Sequence, residues 1–145
     1  MEVKAYTDIE QSKKLAAGIL PPESADMYYQ YVLPKSDKLR HNPILGNPID
    51  ALEWYNKGYT HFGKTPLTLN EYCIPCWNLA TLFNVIPKRI KECNVLRIDI
   101  SEEDFSIWYD KIGFGVNSEL PDITKESVVD ACYEMIIKLH EQKLL

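Results

Sequence analysis

The alternation of apolar and polar positions predicts a pair of strands in the second half of the chain. Residues 95–100 and 105–111 each place apolar side chains at every second position, a period that is typical of half-buried strands. The polar link 101–104 between them predicts an antiparallel hairpin. A further strand is expected at 27–33, where aromatic and β-branched residues are concentrated.

The most apolar stretch, residues 74–87, predicts a central helix. Pro75 suits the first turn of a helix, where its missing N–H would have no partner, and Pro87 would end the helix. Between the two prolines, apolar residues recur at helical spacing: Leu79, Leu82, Phe83 and Ile86. We therefore expect a short helix here around which a core forms.

Two more helices are predicted near the ends of the chain. Thr7 and Glu10 match a capping box, and the helix that follows should run to about Gly18. Thr124 is expected to cap a C-terminal helix with one apolar side. That side carries Val128, Val129, Cys132, Ile136 and Leu139, and a Glu134–Lys138 pair lies on the other side.

Together these elements predict a single α+β domain over residues 1–145. A chain of 145 residues fits one domain, and a composition that is 46% hydrophobic can build a core. We expect a mainly antiparallel sheet made of 27–33, 95–100 and 105–111. The apolar face of that sheet must be covered, and the central and C-terminal helices are the elements available to cover it.

Residues 34–66 are expected to be a long irregular region rich in proline and glycine. One short helix is predicted inside it, capped by Asn47, started by Pro48 and ended by Gly58. A connection of this length often carries function, because recognition concentrates on loops held by a rigid scaffold.

Aromatic residues make this region the predicted binding surface for a protein partner or for self-association. Tyr55, Tyr59, His61 and Phe62 offer large contact areas, and aromatic residues are enriched at protein interfaces. Tyr28, in the strand at 27–33, is expected to join them. The alternative is that the aromatics pack as extra core, which we expect for Trp54 more than for Tyr59 and His61.

The alternative function is a small thiol-dependent enzyme that uses Cys73 and Cys76. A C-x-x-C motif at a helix N-terminus lowers the pKa of a thiol and supports disulfide exchange. The residues before the motif make only a weak strand, however, and a thioredoxin-like site needs a buried strand leading into it. We therefore expect buried structural cysteines, Cys132 among them, and a non-catalytic protein.

Charge and motif content argue against several other functions. The net charge of −5 argues against direct nucleic-acid binding, which needs a basic patch. No apolar run approaches the ~20 residues that span a bilayer, and the N-terminus shows no signal peptide. The cysteines and histidines follow no metal-ligand spacing, and no motif for a cofactor is present.

Four segments resemble a group of small uncharacterised proteins encoded by prophages and mobile elements of gut Bacteroidetes. The segments are residues 6–15, 24–29, 74–87 and 130–139. The resemblance touches both ends and the centre of the chain and skips 34–66. It implies a bacterial cytoplasm and an accessory role, and it assigns no site residue.

Overall fold

The chain folds into helices and antiparallel strands, with five strands in succession before the C-terminal helix. The computed structural model describes residues 4–145, apart from the side chain of Tyr59. Its helices are α1 (Ile9–Ala16), α2 (Pro48–His61), α3 (Leu69–Tyr72), α4 (Leu79–Val85) and α5 (Val128–Glu141). Its strands are β1 (Met27–Gln30), β2 (Ile44–Leu45), β3 (Cys73–Cys76), β4 (Arg89–Ile90), β5 (Asn94–Ile100), β6 (Phe105–Lys111), β7 (Gly115–Val116) and β8 (Ile123–Lys125).

The predicted α+β class is confirmed. The protein is a small domain in which antiparallel sheets are packed by helices, including the C-terminal helix. Its described residues cluster into two compact groups, 8–78 and 4–7 with 79–145. Each group contains one sheet: β2-β1-β3 in the first, and β4-β5-β6-β7 with β8 beside β6 in the second.

The prediction that 27–33 shares a sheet with the hairpin is therefore wrong. Strand β1 covers only the start of that segment and pairs with β2 and β3. Its partner β3 lies more than forty residues away along the chain, as the Met27–Cys76 register shows. Local apolar patterns indicate that a strand forms and which face is buried, but they do not identify which distant strand in the sequence pairs with it.

Residues 73–76 form strand β3, so the predicted central helix is too long at its N-terminal end. The helix in this region is α4, which begins only at Leu79. All four residues of β3 are buried, and a strand buried on both faces shows no alternation that would distinguish it from a helix.

Pro75 fits β3 because of its position in the ladder. The backbone N–H of Tyr31 donates to the carbonyl oxygen of Tyr72 at 3.2 Å, and bonded and non-bonded pairs alternate along an antiparallel ladder. The Tyr28–Pro75 pair is thus a non-hydrogen-bonded pair, and the Pro75 nitrogen points away from β1. Since β3 is an edge strand, the missing N–H costs no ladder bond.

Both terminal helices are present, but each is capped by a residue other than the one predicted. Asp8, not Thr7, caps α1: its carboxylate accepts from the backbone N–H of Gln11 at 2.8 Å, and the Gln11 side chain accepts from the backbone N–H of Asp8 at 3.1 Å. Ser127 caps α5 by accepting from the backbone N–H of Asp130. Thr124 lies in β8 instead.

The region 34–66 contains more regular structure than predicted. Asn47 and Pro48 start α2 as expected, because the Asn47 side-chain oxygen accepts from the backbone N–H groups of Ile49 and Asp50. The helix does not end at Gly58 but continues to His61. Glycine destabilises a helix interior by only about 0.5–1 kcal/mol, so it ends a helix only when the following residues also leave it.

The predicted hairpin is confirmed as β5 and β6, with Ile98 opposite Ile107. The apolar residues of β6 are buried as expected, whereas Ile98 and Ile100 at the end of β5 are exposed. Strand β4 pairs only with the start of β5, so the end of β5 is a sheet edge.

Helix α5 covers β6 and supplies the centre of the second core. Four of the five residues predicted for its apolar side, Val129, Cys132, Ile136 and Leu139, are each 0% exposed, and the fifth, Val128, is half-buried. The Glu134–Lys138 pair is present, with 4.0 Å between its charged atoms. Tyr109 on β6 is also fully buried, and its hydroxyl donates to the carbonyl oxygen of Pro87 at 2.6 Å.

The N-terminal residues 4–7 belong to this second group. The backbone N–H of Leu79 donates to the carbonyl oxygen of Ala5 at 3.0 Å, and the Lys4 ammonium contacts the Asp130 carboxylate at 2.7 Å. The group is therefore assembled from two pieces of chain that are separated by residues 8–78.

Replacing Tyr109 with phenylalanine should lower the free energy of unfolding by about 1 kcal/mol, because it leaves the Pro87 carbonyl without its hydroxyl donor. Urea denaturation followed by circular dichroism measures the change. Phe114→Leu is the control, because Phe114 is 81% exposed and its replacement should change little. Equal stability of the two variants would contradict the role given to the Tyr109 hydroxyl.

Candidate protein-binding surface

Helix α2 presents large aromatic side chains to solvent. Trp54 in α2 and Phe62, the first residue after it, are each 79% exposed, and with Gly58 and His61 they form what we call the aromatic face. A shallow cavity of about 630 Å³ lies on it, lined by Trp54, Tyr55, Lys57, Gly58, His61 and Phe62. The rings of His61 and Phe62 meet edge to face, with centroids 5.5 Å apart.

The opposite side of α2 is fixed in a core. Leu52 and Tyr55 pack against a buried cluster that includes Tyr72 and Cys73. The rings of Tyr55 and Tyr72 have centroids 5.0 Å apart. This packing determines which side of α2 faces outward, because Trp54 lies two residues from Leu52 and a helix turns about 100° per residue.

Hydrogen bonds hold the start and the middle of α2. At the N-terminus the Asn47 amide donates to the carbonyl oxygens of Glu23 and Ala25, each at 3.0 Å. In the middle of the helix, Asn56 pairs with the backbone of Leu67: the amide donates to its carbonyl oxygen at 3.0 Å and accepts from its N–H at 2.9 Å. The outward direction of the aromatic face is thus set by contacts made elsewhere on the helix.

The structure brings three of the five residues predicted for partner binding to one cavity. His61 and Phe62 lie on the aromatic face, and Tyr55, which is half-buried, also lines the cavity. The side chain of Tyr59 is outside the described part of the chain.

Tyr28 is not a surface residue, which corrects the prediction that it joins the binding surface. It is 8% exposed, and its ring lies 5.9 Å from that of Tyr72. Strand β1 is buried on both faces, since the successive residues Met27, Tyr28 and Tyr29 are all buried. An aromatic strand was correctly predicted here, but its rings belong to the core.

The prediction for Trp54 was also wrong, since we expected it to be core and it is 79% exposed. The signal was present in the helical spacing. If Leu52 and Tyr55 form the buried side, a residue two positions after Leu52 lies about 160° away from it. The size and apolarity of tryptophan favoured burial, but its position on the helix determines its exposure.

Gly58 interrupts α2 on its exposed side without any contact that requires glycine. A Cβ atom built on Gly58 would meet no atom within 4 Å, and its φ is not in the left-handed region. Nothing within the described residues therefore explains a glycine at this position.

Cys73 and Cys76 are buried in β3 and do not begin a helix, which corrects the basis of the thiol-enzyme alternative. Their exposures are 1% and 0%. Side chains alternate across a strand, so residues three apart point to opposite faces. Burial raises the pKa of the Cys73 thiol to about 12, which keeps it protonated and unreactive at neutral pH.

Across residues 4–145, no three His, Cys, Asp or Glu side chains lie close enough together to hold a metal ion. In the same span, no helix is both long and apolar enough to cross a membrane. No protein-family model, curated protein or solved structure matches this chain.

Thiol labelling should distinguish the buried cysteines from the exposed one. Cys93 is exposed, whereas Cys73, Cys76 and Cys132 are buried. With an aromatic disulfide reagent at pH 8, the native protein should release about one equivalent of chromophore quickly, and the unfolded protein four. Fast reaction of two or more thiols in the native state would contradict the burial of the cysteines in β3 and would support the thiol-enzyme alternative.

Gly58→Ala should raise the free energy of unfolding by about 0.5–1 kcal/mol, because alanine is the better helix former and meets no neighbour. Gly18→Ala is the matched control. Its Cβ would also meet nothing, but Gly18 has φ +93°, so that variant should lose stability. Chemical denaturation of both variants measures the change in the free energy of unfolding, which should be positive for Gly58→Ala and negative for Gly18→Ala. A destabilised Gly58→Ala would mean that the monomer itself needs glycine at position 58.

Proposed function

We propose that this chain is a non-catalytic protein-binding protein and that the aromatic face of α2 is its binding surface. The observation that carries the proposal is the exposure of Trp54 and Phe62, 79% each, on one side of a helix whose other side is fixed. Burying a large apolar side chain stabilises by about 1.5–3 kcal/mol. Two such side chains held in water therefore leave a binding energy that a partner can use.

The chemistry of the face supports a protein partner over a small molecule. The cavity is shallow and open, whereas small-molecule sites enclose most of their ligand. Tryptophan is among the residues most enriched in interface hot spots. Lys57 and Glu53 lie exposed beside the aromatic residues, which gives the apolar centre and charged rim common to protein interfaces.

The wider role that we propose is accessory, in the cytoplasm of a bacterium that carries a prophage or mobile element. This part of the proposal rests on the sequence resemblance alone. The buried, protonated thiol of Cys73 gives no support to catalysis by that cysteine.

Trp54→Ala should abolish or strongly reduce partner recovery without changing thermal stability. Because the side chain is largely in water, its removal should shift the melting temperature by less than about 2 °C. Tagged wild-type protein and variants are incubated with host lysate, and bound proteins are quantified by mass spectrometry.

Phe114→Ala is the matched control, since Phe114 is an equally exposed aromatic outside α2. It should recover the same proteins as the wild type. Recovery that is unchanged by Trp54→Ala, or lost equally with Phe114→Ala, would refute the proposed surface. A large drop in melting temperature for Trp54→Ala would show that the tryptophan is structural.

A further inference from the structure

We infer that the aromatic face binds the same face of a second copy of this chain, with the two α2 helices antiparallel and crossing at Gly58. The inference rests on the proposed function and names the partner. Three features of α2 support it: the spacing of its aromatic residues, its exposed glycine, and the distribution of its charges.

The aromatic residues are arranged symmetrically about Gly58. Trp54 lies four residues before it, and Phe62, the first residue after α2, lies four residues after it; all three line the same cavity. In an antiparallel pair with a two-fold axis at Gly58, Trp54 of each copy faces Phe62 of the other. The face is then complementary to itself, as a two-fold interface requires.

Gly58 gives the crossing point a physical reason. Helix axes pack 8–10 Å apart depending on the side chains between them, and glycine permits the closest approach. Within the monomer a Cβ at Gly58 would point into open space, so no contact there requires glycine. Between two copies, the absence of a side chain at Gly58 would let the helices approach closely enough for Trp54 and Phe62 to contact the other copy.

The charges of α2 favour an antiparallel arrangement. Asp50 and Glu53 lie in its N-terminal half, whereas Lys57 lies near its middle and Lys64 just beyond its end. An antiparallel copy brings Glu53 of one chain near Lys64 of the other, whereas a parallel copy places Glu53 beside Glu53 and Lys57 beside Lys57. Neither Asp50 nor Glu53 makes an ion pair with another residue in the described part of the chain.

The expected dimer is weak and depends on concentration. A helix of 14 residues is about 21 Å long, so two of them bury less than the roughly 1,600 Å² of a standard interface. The measurement must therefore cover high protein concentrations and trap the complex where possible.

Disulfide trapping tests the geometry directly. In a Cys93→Ser background, which removes the exposed native thiol, Gly58→Cys places one exposed thiol on the proposed axis. Asp50→Cys places one on the same exposed side of α2, eight residues away. In the antiparallel pair, the two residues 50 are separated by about 24 Å along the axis.

Mild oxidation should therefore give several-fold more covalent dimer with Gly58→Cys than with Asp50→Cys. Adding Trp54→Ala to the Gly58→Cys variant should reduce the yield to that of Asp50→Cys. Equal yields at positions 50 and 58 would overturn the antiparallel crossing, as would a yield at 58 that does not respond to Trp54→Ala.

Sedimentation velocity tests the unmodified chain. The wild type and Phe114→Ala should show a sedimentation coefficient that rises with concentration, and Trp54→Ala and Gly58→Leu should remain monomeric. A wild type that stays monomeric up to about 1 mM would overturn the self-association. In that case, Trp54-dependent recovery of lysate proteins would still support the proposed protein-binding function. Recovery that does not depend on Trp54 would refute both the protein-binding surface and the self-association.

Discussion

The pairing register of β1 and β3 is the constraint on which the packing of residues 8–78 depends. Pro75 can lie only where its nitrogen points away from β1, and a slip of one residue would turn it inward and exchange the two faces of β3. The observed register, with Tyr28 opposite Pro75, satisfies this condition. It also directs Cys73 toward Tyr28 and Tyr72, the cluster on which α2 packs. The aromatic face of α2 is thus oriented by a ladder of four residue pairs on the far side of the helix.

Local patterns predicted the elements whose burial differs between their two faces. The β5–β6 hairpin and α5 each have one solvent-facing and one buried side. The two-residue period of the strands and the 3.6-residue period of the helix are therefore visible in the sequence. Strand β3 is buried on both faces and begins with a C-x-x-C that contains proline, so it was mistaken for the start of a helix. The pairing of β1 with β3 could not be predicted, because nothing in either segment identifies a partner so distant in the chain.

The aromatic face lies in the region that the sequence indicated for binding, but its residues differ in part from those predicted. His61 and Phe62 lie on it, and Tyr28 does not. Trp54 was expected in the core and is exposed, and Tyr28 was expected at the surface and is buried. In both cases position within the element determined the outcome. Gly58 was taken as the end of a helix because glycine is common at that position, although here the helix continues through it.

The hydrogen bond between Ala5 and Leu79 has a consequence for the order in which the chain folds. It joins two pieces of backbone across a loop of some seventy residues, and closing such a loop in an unfolded chain costs about 4 kcal/mol of conformational entropy. The intervening group begins at Asp8 and ends at Asn78, and packing of α1 against β3 draws those ends together. The entropy of closure is therefore lost once, by whichever group folds first, and the second group forms on a chain whose ends have already met.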